Sequence, residues 1–245
     1  LYVLFIFVRF FCVNVTCCIQ ISFADWRRPY LNKEEPEILE QNLPSEDPFQ
    51  IFDIWFKNVA SKSNVSFEEV NSLLSTYCYV HRNNKPSSRM VLIKEYNKEG
   101  FSFYTNYDSR KGMELEVNPY AAVLFYWPKV DRQVRIEGKV KKLPEEMADE
   151  YWYSRPLKSR IGSKSSNQSS VVPNRQFLID KRNELTKLAE EKGESAITRP
   201  STWGGYCVVP SYFEFWQGQS DRVHDRIVFE LDSDGKKWNR KRLSP

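Results

Sequence analysis

The chain has 245 residues, with 36 lysines and arginines against 32 aspartates and glutamates, a formal net charge of +4, and 41% hydrophobic and 15% aromatic side chains. That is enough for one large domain or two small ones with a sizeable core, and too apolar for a disordered chain. So small a basic excess excludes a general nucleic-acid coat and makes any anion site a local one.

The opening "LYVLFIFVRFFCVNVTCCIQISF", residues 1–23, approaches the ~20 apolar residues that span a bilayer. Arg9, Asn14 and Thr16 interrupt it, and no basic region precedes it as in a secretory signal. The expectation is an extension extraneous to the fold, a membrane anchor being the alternative. Residues 24–46 read as a flexible N-terminal segment, and residues 47–245 as the folded domain. Of the five cysteines, Cys12, Cys17 and Cys18 fall in the extension, and Cys78 and Cys207 lack metal-ligand spacing. This argues against a disulfide framework or a metal site and for a reducing, cytoplasmic compartment.

From Asp47 the pattern becomes regular. "DPFQIFDIWFKNVAS" predicts an amphipathic helix, with Asp47 as cap, Pro48 in the first turn and Phe49, Phe52, Trp55, Phe56 and Val59 at helical spacing. "LLSTYCYV", "RMVLIKEY", "FSFYTN", "AAVLFYW" and "RQVRIEGKV" predict strands, with turns at "HRNNKPSS" and "NKEG". The last alternates, Val134, Ile136 and Val140 on one face and Gln133, Arg135, Glu137 and Lys139 on the other. A helix is expected near Asp108 or Ser109, a second over "LPEEMADEYWYSRP" and a third from Asn174 to Gly193. "WGGYCVVP", "YFEFWQ", "RIVFEL" and a "DSDG" hairpin follow. The fold class expected is α+β, mainly β, an antiparallel closed or split barrel with flanking helices.

Four cationic groups stand out. Arg110 and Lys111 occupy the first turn of a helix, where cations oppose the helix dipole unless an anion is bound; a solvated basic turn is the plain alternative. Arg89 and Lys94 are an odd number of residues apart, which in a regular strand puts them on opposite faces, toward two ligands or merely at wet strand ends. Tyr151 and Arg155 share a helix face with Ser159 nearby, a possible phosphate clamp or a simple helix end. In "DRVHDR", an extended chain puts Arg222, His224 and Arg226 on one side beside Trp216, a costly face unless something anionic or electron-rich lies against it; the structural alternative is Asp225 or Glu230 neutralising an arginine. No Walker-type loop, GxGxxG, GxSxG or HExxH motif occurs. Scattered cations amid aromatics are what two small phosphorylated planar ligands need.

"SRMVLIKEY", "FYTNYDSRKGMEL", "FYWPKVDRQVRIEGKVKKLPEE", "YWYSRP", "NQSSVVP", "WGGY", "FEFWQGQSDRVHDR" and the terminal "RLSP", in this order, resemble the pyridoxine/pyridoxamine 5′-phosphate oxidases. The resemblance implies an FMN-dependent homodimer with a split β-barrel fold and the flavin at the subunit interface. It implies that Arg89, Met90, Val91, Leu92, Tyr104, Thr105, Arg110, Lys111, Gln133, Gln168, Ser169, Trp216 and Arg226 bind FMN. Lys94, Tyr151, Arg155 and Ser159 would bind the substrate phosphate, and Arg222 and His224 would hold the pyridine ring as candidate catalytic residues, neither being singled out as base. No metal is implied. The implied reaction oxidises pyridoxamine or pyridoxine 5′-phosphate to pyridoxal 5′-phosphate. Hydride passes to the flavin, imine hydrolysis releases ammonia on the amine route, and dioxygen is reduced to peroxide. The alternative is a non-catalytic flavin- or pyridoxal-phosphate-binding protein of the same barrel. Asn167 stands where many relatives carry histidine, and Val223 where leucine is usual.

Overall fold

The computed structural model describes residues 37–61, the backbone of 72–76, and 86–245. The apolar residues 1–23, the segment up to residue 36, Cys78 and the turn before residue 86 lie outside the described residues.

Helix α1 (Pro48–Ser61) starts as its sequence dictates. Asp47 Oδ1 accepts the Phe49 N–H at 2.9 Å, and Pro48 occupies a position where a missing N–H costs nothing. Its stripe of Ile51, Phe52, Trp55 and Val59 is buried. Phe52 is the hub: the rings of Tyr96, Phe101 and Phe125 meet it edge-on at 5.1, 4.9 and 4.9 Å.

That helix packs on an antiparallel sheet of nine strands: β1 (Ser72–Thr76), β2 (Ser87–Val91), β3 (Ile93–Asn97), β4 (Gly100–Asn106), β5 (Tyr120–Trp127), β6 (Arg132–Lys142), β7 (Trp203–Gln217), β8 (Asp225–Leu231) and β9 (Trp238–Arg242). The order is β2-β1-β5-β6-β7-β4-β3, with β8 on β7 and β9 on β8. The hydrogen-bonded path is open, yet its two end strands, β2 and β3, are joined through Leu92 alone. The sheet therefore curls round the core until its edges meet through the chain. It forks at β7, which pairs with β6 along one side, and along the other with β4 over residues 203–208 and β8 over 212–217. This is the split barrel expected. The alternation predicted for β6 holds, with Val134, Ile136 and Val140 buried.

Helices α2 (Arg110–Val117), α3 (Glu145–Ser154) and α5 (Arg175–Lys192) fall where the caps predict, with Ser109 accepting from Gly112 N–H and Asn174 from Phe177 N–H. A further helix, α4 (Leu157–Lys164), follows Pro156 directly and was not expected. Trp152, Ile161, Ala189, Ile197 and Trp203 form a second core beneath α3–α5 and the start of β7.

Three expectations are corrected. The run "RMVLIKEY" is two strands broken at Leu92, because it must leave β1 and join β4. "WGGYCVVP" and "YFEFWQ" are one continuous strand, β7. Pro210 is tolerated there because it sits at a bulge, between the β4-paired and β8-paired stretches, where the register with β6 shifts. Residues 37–46, expected to be flexible, are tied to the sheet. Arg242 binds Glu40, Arg240 binds Glu46 at 2.6 Å, and Leu43 packs on the core.

Candidate active site

Those of the predicted residues that contact or align with one another fall into two groups, one at each end of β7. The first is built on β4, where consecutive side chains point to opposite faces. Thr105 turns to α2. There Lys111, buried, donates from Nζ to Thr105 Oγ1 at 2.9 Å, Ser109 Oγ at 3.1 Å and Gln168 Oε1 at 2.7 Å. All three are neutral oxygens. Burial, and then the nearby charge of Arg89, pull the Lys111 pKa down to about 8. Gly112 allows α2 to come this close, since an added Cβ would lie 1.9 Å from the Tyr107 carbonyl oxygen. Glu114 organises the remaining cations: Oε2 accepts from Arg89 Nη2 at 2.8 Å and from Ser87 Oγ at 2.6 Å, while Oε1 accepts from Arg110 Nε at 2.8 Å. Arg110 is otherwise exposed, so the first-turn cation that opposes the helix dipole is offset by a carboxylate four residues on.

Tyr104, the preceding residue of β4, faces α3. Its ring stacks on Tyr151 at 4.2 Å and on Trp203 at 5.5 Å. The Arg155 guanidinium covers Trp203 at 4.9 Å and Trp152 at 5.4 Å, and its Nη2 donates to Ser163 Oγ at 3.0 Å. Its Nη1 is buried without a hydrogen-bond partner. Burial pulls its pKa down. Tyr151 and Arg155 thus share one side, as predicted, although Arg155 is the residue just beyond α3. Ser159 is exposed on α4, and the hydroxyl that meets Arg155 is that of Ser163. Met90 and Leu92 are exposed, Val91 partly buried, and Lys94 exposed where β3 shifts register against β4. Beside this group opens a cavity of about 300 Å³, lined by Asn106, Ser163, Lys164, Asn167, Phe177 and Thr202. Its walls are sequence neighbours of Thr105 and Gln168 rather than those residues themselves.

The second group stands where β7 ends. Gln133, Trp216 and Arg226 are aligned across β6, β7 and β8. Arg226 Nε donates to Glu214 Oε1 at 2.7 Å, and Arg135 Nη2 donates to Glu214 Oε2 at 2.5 Å. Burial alone would raise the Glu214 pKa, but those two arginines outweigh it and hold it below the ordinary carboxylate range. His224 lies against Trp216, ring centroids 5.2 Å apart. The expectation that "DRVHDR" is extended is corrected: β8 begins at Asp225, and Arg222 sits in a turn at φ 70°. Its side chain is therefore not the next member of a strand face. Ser169, at φ 73°, shares the left-handed conformation. Such residues cost on the order of 1 kcal/mol and cluster at functional sites. No group of three His, Cys, Asp or Glu side chains among the described residues is disposed to hold a metal ion.

Sequence reasoning missed Ser109, Glu114, Ser163 and Glu214. Glu114 left a signal in its spacing of four from Arg110, and Ser109 in being one of two candidate caps of α2.

A family profile described as pyridoxamine 5′-phosphate oxidase matches residues 74–188, and one described as the pyridoxine 5′-phosphate oxidase C-terminal dimerisation region matches residues 203–245. A Caenorhabditis elegans protein provisionally named pyridoxamine 5′-phosphate oxidase is 61% identical over 92% of this chain and 98% of its own length. The Bos taurus pyridoxine-5′-phosphate oxidase is 47% identical over 85% of this chain and 77% of its own. Among solved structures, PhzG from Burkholderia lata, in complex with tetrahydrophenazine-1-carboxylic acid, superposes with a TM-score of 0.76 at 29% identity, covering 86% of this chain and 98% of its own. The chain belongs to the pyridoxine/pyridoxamine 5′-phosphate oxidase family.

Proposed function

We propose that this chain is a homodimeric, FMN-dependent oxidase that converts pyridoxamine and pyridoxine 5′-phosphate to pyridoxal 5′-phosphate. One observation carries the reading beyond family membership: buried Lys111 is bonded to Thr105 of β4, half-buried Arg155 lies over Trp203 of β7 with its Nη1 buried and unpaired, and neither has a carboxylate hydrogen-bond partner among the described residues. A cation drawn out of water with no carboxylate hydrogen-bonded to it is costly. Two such cations suit two phosphate groups, one on FMN and one on the substrate.

Lys111, Thr105, Gln168 and Ser169 would hold the FMN phosphate, with Arg89 and Arg110 alongside and Met90, Val91, Leu92 and Tyr104 lining the flavin. Arg155, Tyr151, Lys94 and Ser159 would hold the substrate phosphate. Gln133, Trp216, Arg222, His224 and Arg226 stand at the far end of β7, so they would reach this site from a second copy of the chain, whose residues 203–245 match a dimerisation profile. Bound FMN supplies the two-electron acceptor, restored by dioxygen with release of peroxide. The chain's own part is positional. Arg155 neutralises the substrate phosphate, the Tyr104–Tyr151–Trp203 stack walls off water, and Arg222 and His224 orient the pyridine for reaction.

The oxidase domain would run from residue 47 to 245, with residues 1–23 outside it. No helix among the described residues is long and apolar enough to cross a membrane. A cytoplasmic location belongs to the proposal and rests on cysteine usage. Purified protein should retain FMN and take up oxygen when given pyridoxamine 5′-phosphate; a protein that binds FMN yet consumes no oxygen with either substrate would favour the carrier reading.

A further inference from the structure

The turn between β7 and β8 carries both residues proposed to hold the pyridine, and one residue, Gln219, grips the two of them. Its carbonyl oxygen accepts the Arg222 N–H at 3.2 Å, closing the turn. Its own N–H donates to His224 Nδ1 at 3.0 Å. Its side chain is anchored: Nε2 donates to Asp225 Oδ2 at 2.7 Å. That buried carboxylate is fixed in turn by Arg242 Nη1 at 2.8 Å and by the Ile38 N–H at 3.1 Å. Trp216 lies against the imidazole, so a swing of the ring must leave both the indole and the Gln219 N–H.

A neutral imidazole has one nitrogen that donates and one that accepts. A backbone N–H can only donate, so Nδ1 is the acceptor and the hydrogen resides on Nε2. We infer that Gln219 holds His224 in the Nε2–H tautomer, so that this histidine gives a hydrogen bond to an oxygen of the bound pyridine and does not take the substrate's proton. To act as base through Nε2, the ring would have to move its hydrogen to Nδ1, against an N–H pinned in place by the Asp225-anchored turn. Gln219 is thus a positioning residue. The tautomer stands on geometry alone, while the contact to a pyridine rests on the function proposed above.

The chain has two histidines, His81 and His224, which makes the tautomer directly readable. Holoenzyme labelled with ¹⁵N-histidine, in mildly alkaline buffer, gives two imidazoles, and the one lost in His224→Gln belongs to position 224. The expected spectrum has the hydrogen on Nε2 and none on Nδ1, with the Nε2–H proton moving downfield when pyridoxal 5′-phosphate is added. A hydrogen found on Nδ1 overturns the inference. Turnover gives a second test, because His224→Gln keeps an amide N–H near the Nε2 position but cannot accept a proton, and His224→Ala keeps neither. Removing a general base costs about 10²-fold or more. A donor role predicts that the glutamine variant keeps on the order of a tenth of the rate, while the alanine variant falls well below it. Equal collapse of both variants with FMN retained restores the base, and unchanged turnover in both removes the donor. A wild-type holoenzyme that consumes no oxygen would defeat the functional reading while the nitrogen spectrum still decides the tautomer.

Discussion

Trp203 and Trp216 stand at the two ends of one strand. They are the first residue of β7 and its last but one, thirteen positions apart, or roughly 40 Å of contour at ~3.3 Å per residue. Trp203 supports the Tyr104–Tyr151–Arg155 cradle, and Trp216 supports His224. Both belong to the proposed site, so the proposal requires two copies of the chain to build it.

If Lys111 holds the FMN phosphate as proposed, FMN affinity depends on pH. Its folded pKa, lowered to about 8 by burial and by Arg89, lies below the ordinary lysine value. Without FMN, the unfolded chain binds this proton more tightly than the folded one, so its contribution to apoprotein stability rises with pH between about 8 and about 10.5. FMN binding has the opposite trend, weakening as the ammonium is lost above about 8. Flavin titrations at pH 7 and pH 9.5 should show the loss. In Lys111→Arg, whose charge persists, the dependence should flatten.

Arg155→Ala should leave FMN retention unchanged and raise KM for phosphorylated substrates by about 10- to 100-fold, the worth of a lost charged hydrogen bond. Steady-state kinetics beside flavin absorbance will separate the two. Equal loss of flavin and substrate would mean that Arg155 supports the second core rather than the substrate.

Phe52→Ala should destabilise the fold by about 3–5 kcal/mol, since a fully buried ring with edge contacts to three others leaves a cavity that the curled sheet cannot close. Denaturant unfolding of the apoprotein measures it, and a change near 1 kcal/mol would show that the core repacks.

Local chemistry was legible where one rule acted alone. Asp47–Pro48 and Asn174 fixed two helix starts, a third was narrowed to Asp108 or Ser109, and alternation fixed the buried face of β6. Legibility failed where a partner distant in the chain decides the outcome. Nothing around Leu92 says that β2 must end there, because the break serves the separate needs of β1 and β4. Pro210 reads as a strand end until the bulge against β6 is seen. The extended reading of "DRVHDR" lost to a turn closed by Gln219, two residues before the motif. The residue types of the site were visible in sequence. Their division between the ends of β7 was not, because it depends on β7 being one strand.

The most direct test is subunit complementation. Arg155→Ala disables the cradle at the start of β7, and Arg222→Ala disables the turn beyond its end. Each variant alone should be nearly inactive at low substrate concentration. Unfolded together and refolded, half of the dimers would be mixed, each with one site drawing both intact groups, so activity should return to about a quarter of the wild-type value. Mixed dimers that form, carry FMN and stay inactive would show that each chain completes its own site, contradicting the account.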